Sequence, residues 1–397
     1  MTPTFVKKRH MRQLADYRDN ELRKRPVLKS LFFELTDVCN ERCRHCGSRC
    51  GEGMPGTAGY VNAAGAAGDA GPDGMPVGPG TSGYSAPGAV PMRRRIMQPS
   101  DWKRVLDEVK DDFDLNQMRL CITGGEPLLY PGFREVMEHA HALGYRWGMT
   151  SNGTLIDDKV ALRLRKLGMR TISISLDGLR ETHDAFRQLD GAYDGAVNGI
   201  RSLLRVGGFD HVQVTTVVHH DSYPELDDML AEFGRLGVKS WRVINVEPMG
   251  RALDSPEIML TPAEMKGMMD FIEKHRNEGA MQVTYGCSHY LGPARERESR
   301  DWYFLCNSGI YTASITHEGN CVGCLDLPRR PELVQGSVHE DRFADVWRNR
   351  YETFRTDYRK KGECAECEHY AYCAGDSFHT WDFDRDEPGA CMKGILF

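Results

Sequence analysis

Three cysteines, Cys39, Cys43 and Cys46, follow the apolar run Leu31-Phe32-Phe33 at C-x3-C-x2-C spacing. Thiolates are soft ligands, suited to zinc and to iron–sulfur clusters. A closed zinc site takes four protein ligands. Three thiolates on one loop instead fit a 4Fe–4S cluster with one iron left open, and an open iron can take a small molecule through its amine and carboxylate. A zinc clip or a set of redox cysteines is the plainer alternative. Of thirteen cysteines, eight lie beyond Gly286: Cys287, Cys306, Cys321, Cys324, Cys364, Cys367, Cys373 and Cys391. The basic, polar N-terminus has no apolar signal core, so a cytoplasmic, reducing compartment is expected, where clustered cysteines serve as ligands or catalysts rather than disulfides. Cys50, just past the loop, reads as a bystander.

These residues need a frame, and the sequence supplies one. Short apolar or β-branched runs occur at Leu31–Thr36, Leu120–Thr123, Trp147–Thr150, Thr171–Leu176, Val212–Val218 and Trp241–Val246, each bounded by turn residues. Helical patterns alternate with them: Asp101–Asp112, Phe133–Leu143, Asp158–Leu167, Tyr193–Val206, Pro224–Leu236 and Pro262–Lys274, with Ser100 and Thr261 as expected N-caps. Six βα units in series predict an α/β fold with a parallel sheet, curved into an open, partial (β/α)6 TIM-like barrel. Chemistry in such folds sits at the C-terminal ends of strands, where the cysteine loop also falls. The expected division is an N-terminal extension over 1–29, the barrel over 30–252, a bridging region over 253–300 and a small cysteine-rich domain over 301–397. The Gly/Ala/Pro-rich stretch 51–95 is poor in apolar surface and is expected to be a flexible insertion, with a lid as the sharper reading. Net charge is −6 and no run is long and apolar enough to span a bilayer, so neither nucleic acid nor membrane is an expected partner.

The second strand ends in Thr123-Gly124-Gly125-Glu126-Pro127. One strand away from C-x3-C-x2-C, this resembles the radical S-adenosylmethionine (SAM) enzymes, whose motif at this place holds the SAM amino group. The resemblance implies that role for Glu126 and the Gly124–Gly125 backbone, ribose and carboxylate contacts for Ser151, Asn152 and Ser175, and an adenine-side place for His45. The stretch His183-Asp184-Ala185-Phe186-Arg187 looks like the family's H-D-x-x-R run and offers Arg187 as a fork for the SAM carboxylate, with a surface salt bridge as its plain alternative. Val246-Glu247-Pro248-Met249-Gly250-Arg251 resembles the adenine-side segment.

The second zone reads Cys306-x12-Gly319-x4-Cys324, then Cys364-x2-Cys367-x5-Cys373, then Cys391. It resembles the SPASM extension of that family, which carries two auxiliary 4Fe–4S clusters. Cys364, Cys367, Cys373 and Cys391 would hold the farther one. The cysteine expected after Cys373 is replaced by Ser377, preceded by Asp376. The nearer cluster thus keeps Cys306 and Cys324, with Cys321 expected as third ligand, Cys287 as a weaker candidate, and the fourth place open or held by Asp376 or Ser377. A single zinc between Cys321-x2-Cys324 and Cys364-x2-Cys367 is the alternative.

The resemblance implies an enzyme that reductively cleaves SAM and abstracts hydrogen through a 5′-deoxyadenosyl radical, with one or two auxiliary clusters handling a further electron. The leading expectation is maturation of a ribosomally made peptide. The alternatives are formylglycine formation in a sulfatase, a small-molecule dehydrogenase or epimerase, and a non-catalytic electron carrier. Expected partners are the peptide, a separate leader-binding protein and an electron donor such as flavodoxin or ferredoxin.

Overall fold

The computed structural model of the chain describes residues 3–50, 96–276, 278–287, 289–301 and 304–397. The insertion expected over 51–95 lies outside them. Six strands run parallel in chain order: β1 (Ser30–Glu34), β2 (Arg119–Thr123), β3 (Trp147–Ser151), β4 (Met169–Ser175), β5 (His211–Val218) and β6 (Ser240–Asn245). Helix α1 (Pro3–Tyr17) precedes them. The crossovers carry α2 (Pro99–Asp112), α3 (Phe133–Ala142), α4 (Asp158–Lys166), α5 (Arg180–Arg187), α6 (Ala192–Val206) and α7 (Leu226–Leu236). These are the predicted βα units with ends moved by one or two residues, plus the short helix α5.

The sheet continues past the six strands in both directions. The bridging region supplies α8 (Pro262–His275), β7 (Gln282–Tyr285), which pairs parallel with β6, and α9 (Gly292–Ser299). On the other side β8 (Thr312–Ile315) pairs parallel with β1, followed by antiparallel β9 (Asn320–Val322) and β10 (Gly336–Ser337). The full order is β10-β9-β8-β1-β2-β3-β4-β5-β6-β7. The cysteine-rich region therefore grows from the same sheet as the barrel, and α10 (Phe343–Asn349) packs beside it.

The core forms where the alternating strand faces meet the helices. Trp102, Trp147 and Trp241 are fully buried, with Phe33 lying 4.5 Å from Trp102, centroid to centroid; burying each large apolar side chain contributes roughly 1.5–3 kcal/mol. Helix α8 starts as expected. Thr261 Oγ1 accepts from Glu264 N at 3.3 Å while Glu264 returns a bond to Thr261 N at 2.8 Å. Helix α2 does not start at Ser100. Pro99, with its fixed φ, takes the first helical position, and Gln98 N donates to Asp101 Oδ2 at 2.9 Å.

Two glycines join the first two strand ends. Gly125 N donates to Thr36 O at 2.7 Å and Glu126 N to Val38 O at 2.8 Å. A Cβ on Gly125 would lie 2.2 Å from Val38 O, and one on Gly124 2.6 Å from Thr36 O. The glycines are thus required by the close approach of the cysteine loop's own backbone. Gly125→Ala is expected to loosen this loop, lowering the melting temperature and the iron retained after anaerobic reconstitution. Gly234→Ala, inside α7 with open space around its Cβ position, should raise stability by about 0.5–1 kcal/mol. Equal behaviour of the two variants would contradict the packing argument.

Candidate functional site

Residues 35–50 contain no helix or strand, so the loop's shape is set by what grips it. Arg42 N and Arg44 N donate to Arg187 O and Phe186 O, at 3.2 and 3.0 Å, at the end of α5. Arg251, just past β6, donates Nε to Cys43 O at 2.8 Å, Nη1 to Cys50 O at 3.0 Å and its backbone N–H to Cys46 O at 3.1 Å. Gly250 (φ +54°) makes this possible, because a Cβ there would meet Cys46 O at 2.2 Å. Asn152, after β3, braces the loop through Asn40, with Nδ2 2.8 Å from Asn40 Oδ1.

Cys39, Cys43 and Cys46 line a cavity of about 550 Å³ at the C-terminal ends of the strands. Burial and the neighbouring Glu41 push the Cys39 thiol well up, and burial does the same to Cys43. The Cys46 thiol is drawn down to about 6 by a hydrogen bond from Cys50, with Arg251 nearby. Cys50 is therefore a partner of Cys46, not the bystander the sequence implied. Buried, proton-holding thiols on one loop fit a cationic iron cluster, which displaces those protons on binding. Two buried polar atoms beside them, Glu41 Oε1 and His45 Nδ1, have no hydrogen-bond partner among the described residues, as expected of a cradle for a polar group.

Arg187 is buried; its Nε and Nη2 lie 2.7 and 2.6 Å from Asp177 Oδ2, and its Nη1 lies 2.9 Å from Glu41 Oε2 and 3.6 Å from Cys43 Sγ. Both carboxylates are fully buried as well. Burial opposes charge on Asp177, yet Arg187 holds its carboxyl below the usual range, whereas burial keeps Glu41 above it. The expected surface salt bridge gives way to an internal ion network next to a cluster thiol, and Arg187 is on the cavity wall.

Glu126 is wholly buried and does not line the cavity. Its carboxylate accepts from Ser151 Oγ at 3.0 Å and Asn152 N at 2.9 Å, and burial lifts it to about 7. These bonds tie it to the end of β3. Gly124, Gly125, Ser151, Asn152 and Ser175 do line the cavity, as does His45. His45 stacks on Phe186 at 4.5 Å, Phe186 stacks on His219 at 3.8 Å, and burial lowers His45 to about 3.

The second cysteine zone divides in two. Cys306 and Cys324 line the same cavity, with Asp326 and His379 beside them and Cys287 also on its wall. Cys321 does not. It is fully buried in β9 among Asp341, Arg350 and Tyr351. Ser377 is buried off the cavity, and Asp376 spends both oxygens on His289 Nδ1 (2.6 Å) and Tyr290 N (2.9 Å). The expected third and fourth ligands of the nearer cluster are thus corrected. Cys364, Cys367, Cys373 and Cys391 gather at the other place. Burial and the adjacent Cys391 and Cys367 push Cys364 up to about 11, and Cys373 also feels Cys391. The two C-x2-C pairs of the zinc alternative fall in different neighbourhoods.

Several residues escaped the sequence reading: Glu41, Asp177, Arg242 and His379, while Glu247 and Arg251 were read only as part of the adenine-side segment. Arg242 carried a signal, being a charge amid the apolar run Trp241-Arg242-Val243. Its Nε reaches Thr215 Oγ1 at 3.2 Å on the cavity wall.

A family profile described as the Radical SAM superfamily matches residues 33–233, and one described as an iron–sulfur cluster-binding domain, SPASM, matches residues 306–368. An AdoMet-dependent heme synthase of Nitratidesulfovibrio vulgaris is 26% identical over 382 residues, covering 91% of this chain and 90% of its own length. The mycofactocin maturase MftC of Mycobacterium tuberculosis is 26% identical over 376 residues, covering 92% and 83%. Among solved structures, SuiB of Streptococcus suis bound to its precursor peptide SuiA matches with TM-score 0.62 and 15% identity over 97% of this chain and 79% of that one, a likeness of fold.

Removing the guanidinium tests the ion network. Arg187→Met strands two buried carboxylates and is expected to cost about 3–5 kcal/mol, read as a lower denaturant midpoint, with Arg187→Lys losing less. An unchanged midpoint in Arg187→Met would contradict the network's role.

Proposed function

The chain belongs to the radical SAM superfamily, and on that premise we propose that it is a peptide-modifying radical SAM/SPASM enzyme. Cys39, Cys43 and Cys46 would hold a 4Fe–4S cluster, with SAM bound beside it in the same cavity. When bound, the pair supplies reductive SAM cleavage and hydrogen abstraction from an unactivated carbon. The remaining work falls to the chain. Arg251 and the end of α5 fix the thiol-bearing loop. Arg187 sets a positive charge beside Cys43. Ser151, Asn152 and Ser175, with the Gly124–Gly125 backbone, would orient SAM, and the enclosing walls would exclude water.

The observation that carries the peptide reading is the chamber itself. At about 550 Å³ it has the size of a site for one drug-sized ligand. SAM would occupy part of it beside the clusters, and its open side would admit a substrate side chain. Arg242 on its wall makes no ion pair with a carboxylate among the described residues, which favours an acidic group on the incoming substrate. The maturase likeness over 92% of the chain supports the same reading. The heme synthase likeness over 91% favours a second one, a small carboxylated molecule. The peptide reading brings with it a leader-binding partner and an external donor of the flavodoxin or ferredoxin kind. No helix among the described residues is long and apolar enough to cross a membrane.

Two measurements test this. The Cys39/Cys43/Cys46 triple Ala variant should lose one cluster's iron and form no 5′-deoxyadenosine under dithionite; appreciable SAM cleavage would remove the loop from the chemistry. The reconstituted enzyme should also change the mass of a short peptide encoded beside it, with 5′-deoxyadenosine rising in proportion. A rise driven by a carboxylated porphyrin precursor, with the peptide inert, would transfer the assignment to the small-molecule reading.

A further inference from the structure

We propose that His379 is a nitrogen ligand of the auxiliary iron–sulfur cluster held by Cys306 and Cys324. This rests on the SPASM reading above. The two thiols share the chamber wall, and Cys324 lies within the electrostatic reach of Cys306. Two thiolates alone do not hold a cluster, and the places where the family pattern would complete the set do not reach the wall: Ser377 is buried elsewhere and both Asp376 oxygens are engaged. His379, two residues beyond Ser377, does reach it. The chain carrying it is pinned to the site, because the backbone N–H of Phe378 bonds the Cys306 sulfur. The imidazole itself interacts with the charges of Cys306 and Asp326.

The orientation of the ring is fixed from behind. His379 Nε2 stands 2.7 Å from Glu247 Oε2. A carboxylate oxygen accepts, so Nε2 carries the hydrogen. Nδ1 is left with no hydrogen bond among the described residues. Glu247 cannot swing away, since its Oε1 lies 3.1 Å from His289 Nε2, and His289 is anchored by Asp376 at 2.6 Å. A histidine that donates one N–H to a fixed carboxylate and offers the other nitrogen is the usual arrangement around a metal. The side chain is 13% exposed, enough to face the chamber without being lost to solvent. Nitrogen in place of thiolate raises the potential of an iron–sulfur centre, as histidine does in Rieske clusters, so this cluster would take an electron more readily than an all-thiolate one.

The test is pulsed EPR of the full chain, reconstituted anaerobically, reduced with dithionite and kept free of SAM, whose own amine would bring nitrogen to the first cluster. With ¹⁵N-histidine labelling, a strongly coupled histidine nitrogen is expected. It should vanish in His379→Cys while iron stays at about twelve per chain for three 4Fe–4S clusters, and it should persist in Cys321→Ala. The proposal is overturned by a parent protein with that iron content and no histidine coupling, by coupling that survives His379→Cys, or by iron that does not fall in a Cys306→Ala/Cys324→Ala double variant. Formation of 5′-deoxyadenosine in the same samples reads the Cys39/Cys43/Cys46 site separately, so its loss would count against the enzyme reading and not against this ligand.

Discussion

The pairing of Arg187 with Asp177 and Glu41 is the interaction on which the site depends. The loop that carries Cys39, Cys43 and Cys46 has no regular secondary structure to stiffen it, and it must still present three thiols to one small volume. A guanidinium buried between two carboxylates is confined to one geometry, because every alternative leaves a charge without a partner in a low-dielectric interior. Asp177 stands at the end of β4, Arg187 at the end of α5 and Glu41 in the loop itself. One network therefore registers the loop against the barrel. Arg251 completes the hold by taking carbonyls on either side of Cys46.

The second dependence is on the sheet. Pairing of β8 with β1 and of β7 with β6 extends the barrel sheet at both ends, and both additions deliver ligand-type residues to the same chamber. Cys306 precedes β8, Cys324 follows β9 and Cys287 follows β7. Across the chamber rim, Gly47 of the cluster loop comes within contact of Asp326, 3.6 Å from where its Cβ would be. The two cysteine zones, some 260 residues apart in sequence, thus line one cavity, the arrangement needed if an electron released on one side is to be taken up on the other.

What the sequence disclosed and what it withheld separate along physical lines. C-x3-C-x2-C and Gly124-Gly125-Glu126-Pro127 are local, so spacing alone located both ends of the site. Repeating βα periodicity located the six strands for the same reason. β7 and β8 are four residues each, too short for a periodic signal, and their pairing is long-range. At Glu126 and Arg187 the sequence is silent on partners for one reason. Residue type says that a carboxylate or a guanidinium is available, but only the fold says whether another side chain has already taken it. Cys321 has a ligand's chemistry but sits in the core of the sheet at β9, off the chamber, and His379 on the chamber wall is of a different type from the expected cysteine and two positions beyond it.

The central claim is that one chamber is flanked by two iron–sulfur sites, with a third set apart. An anomalous difference map at the iron edge, from crystals of the anaerobically reconstituted protein, tests it most directly. The account predicts three separate iron peaks: one at Cys39, Cys43 and Cys46, one at Cys306 and Cys324 on the same cavity, and one among Cys364, Cys367, Cys373 and Cys391. Iron at the first position alone, with a zinc-edge peak in the second cysteine zone, would contradict it.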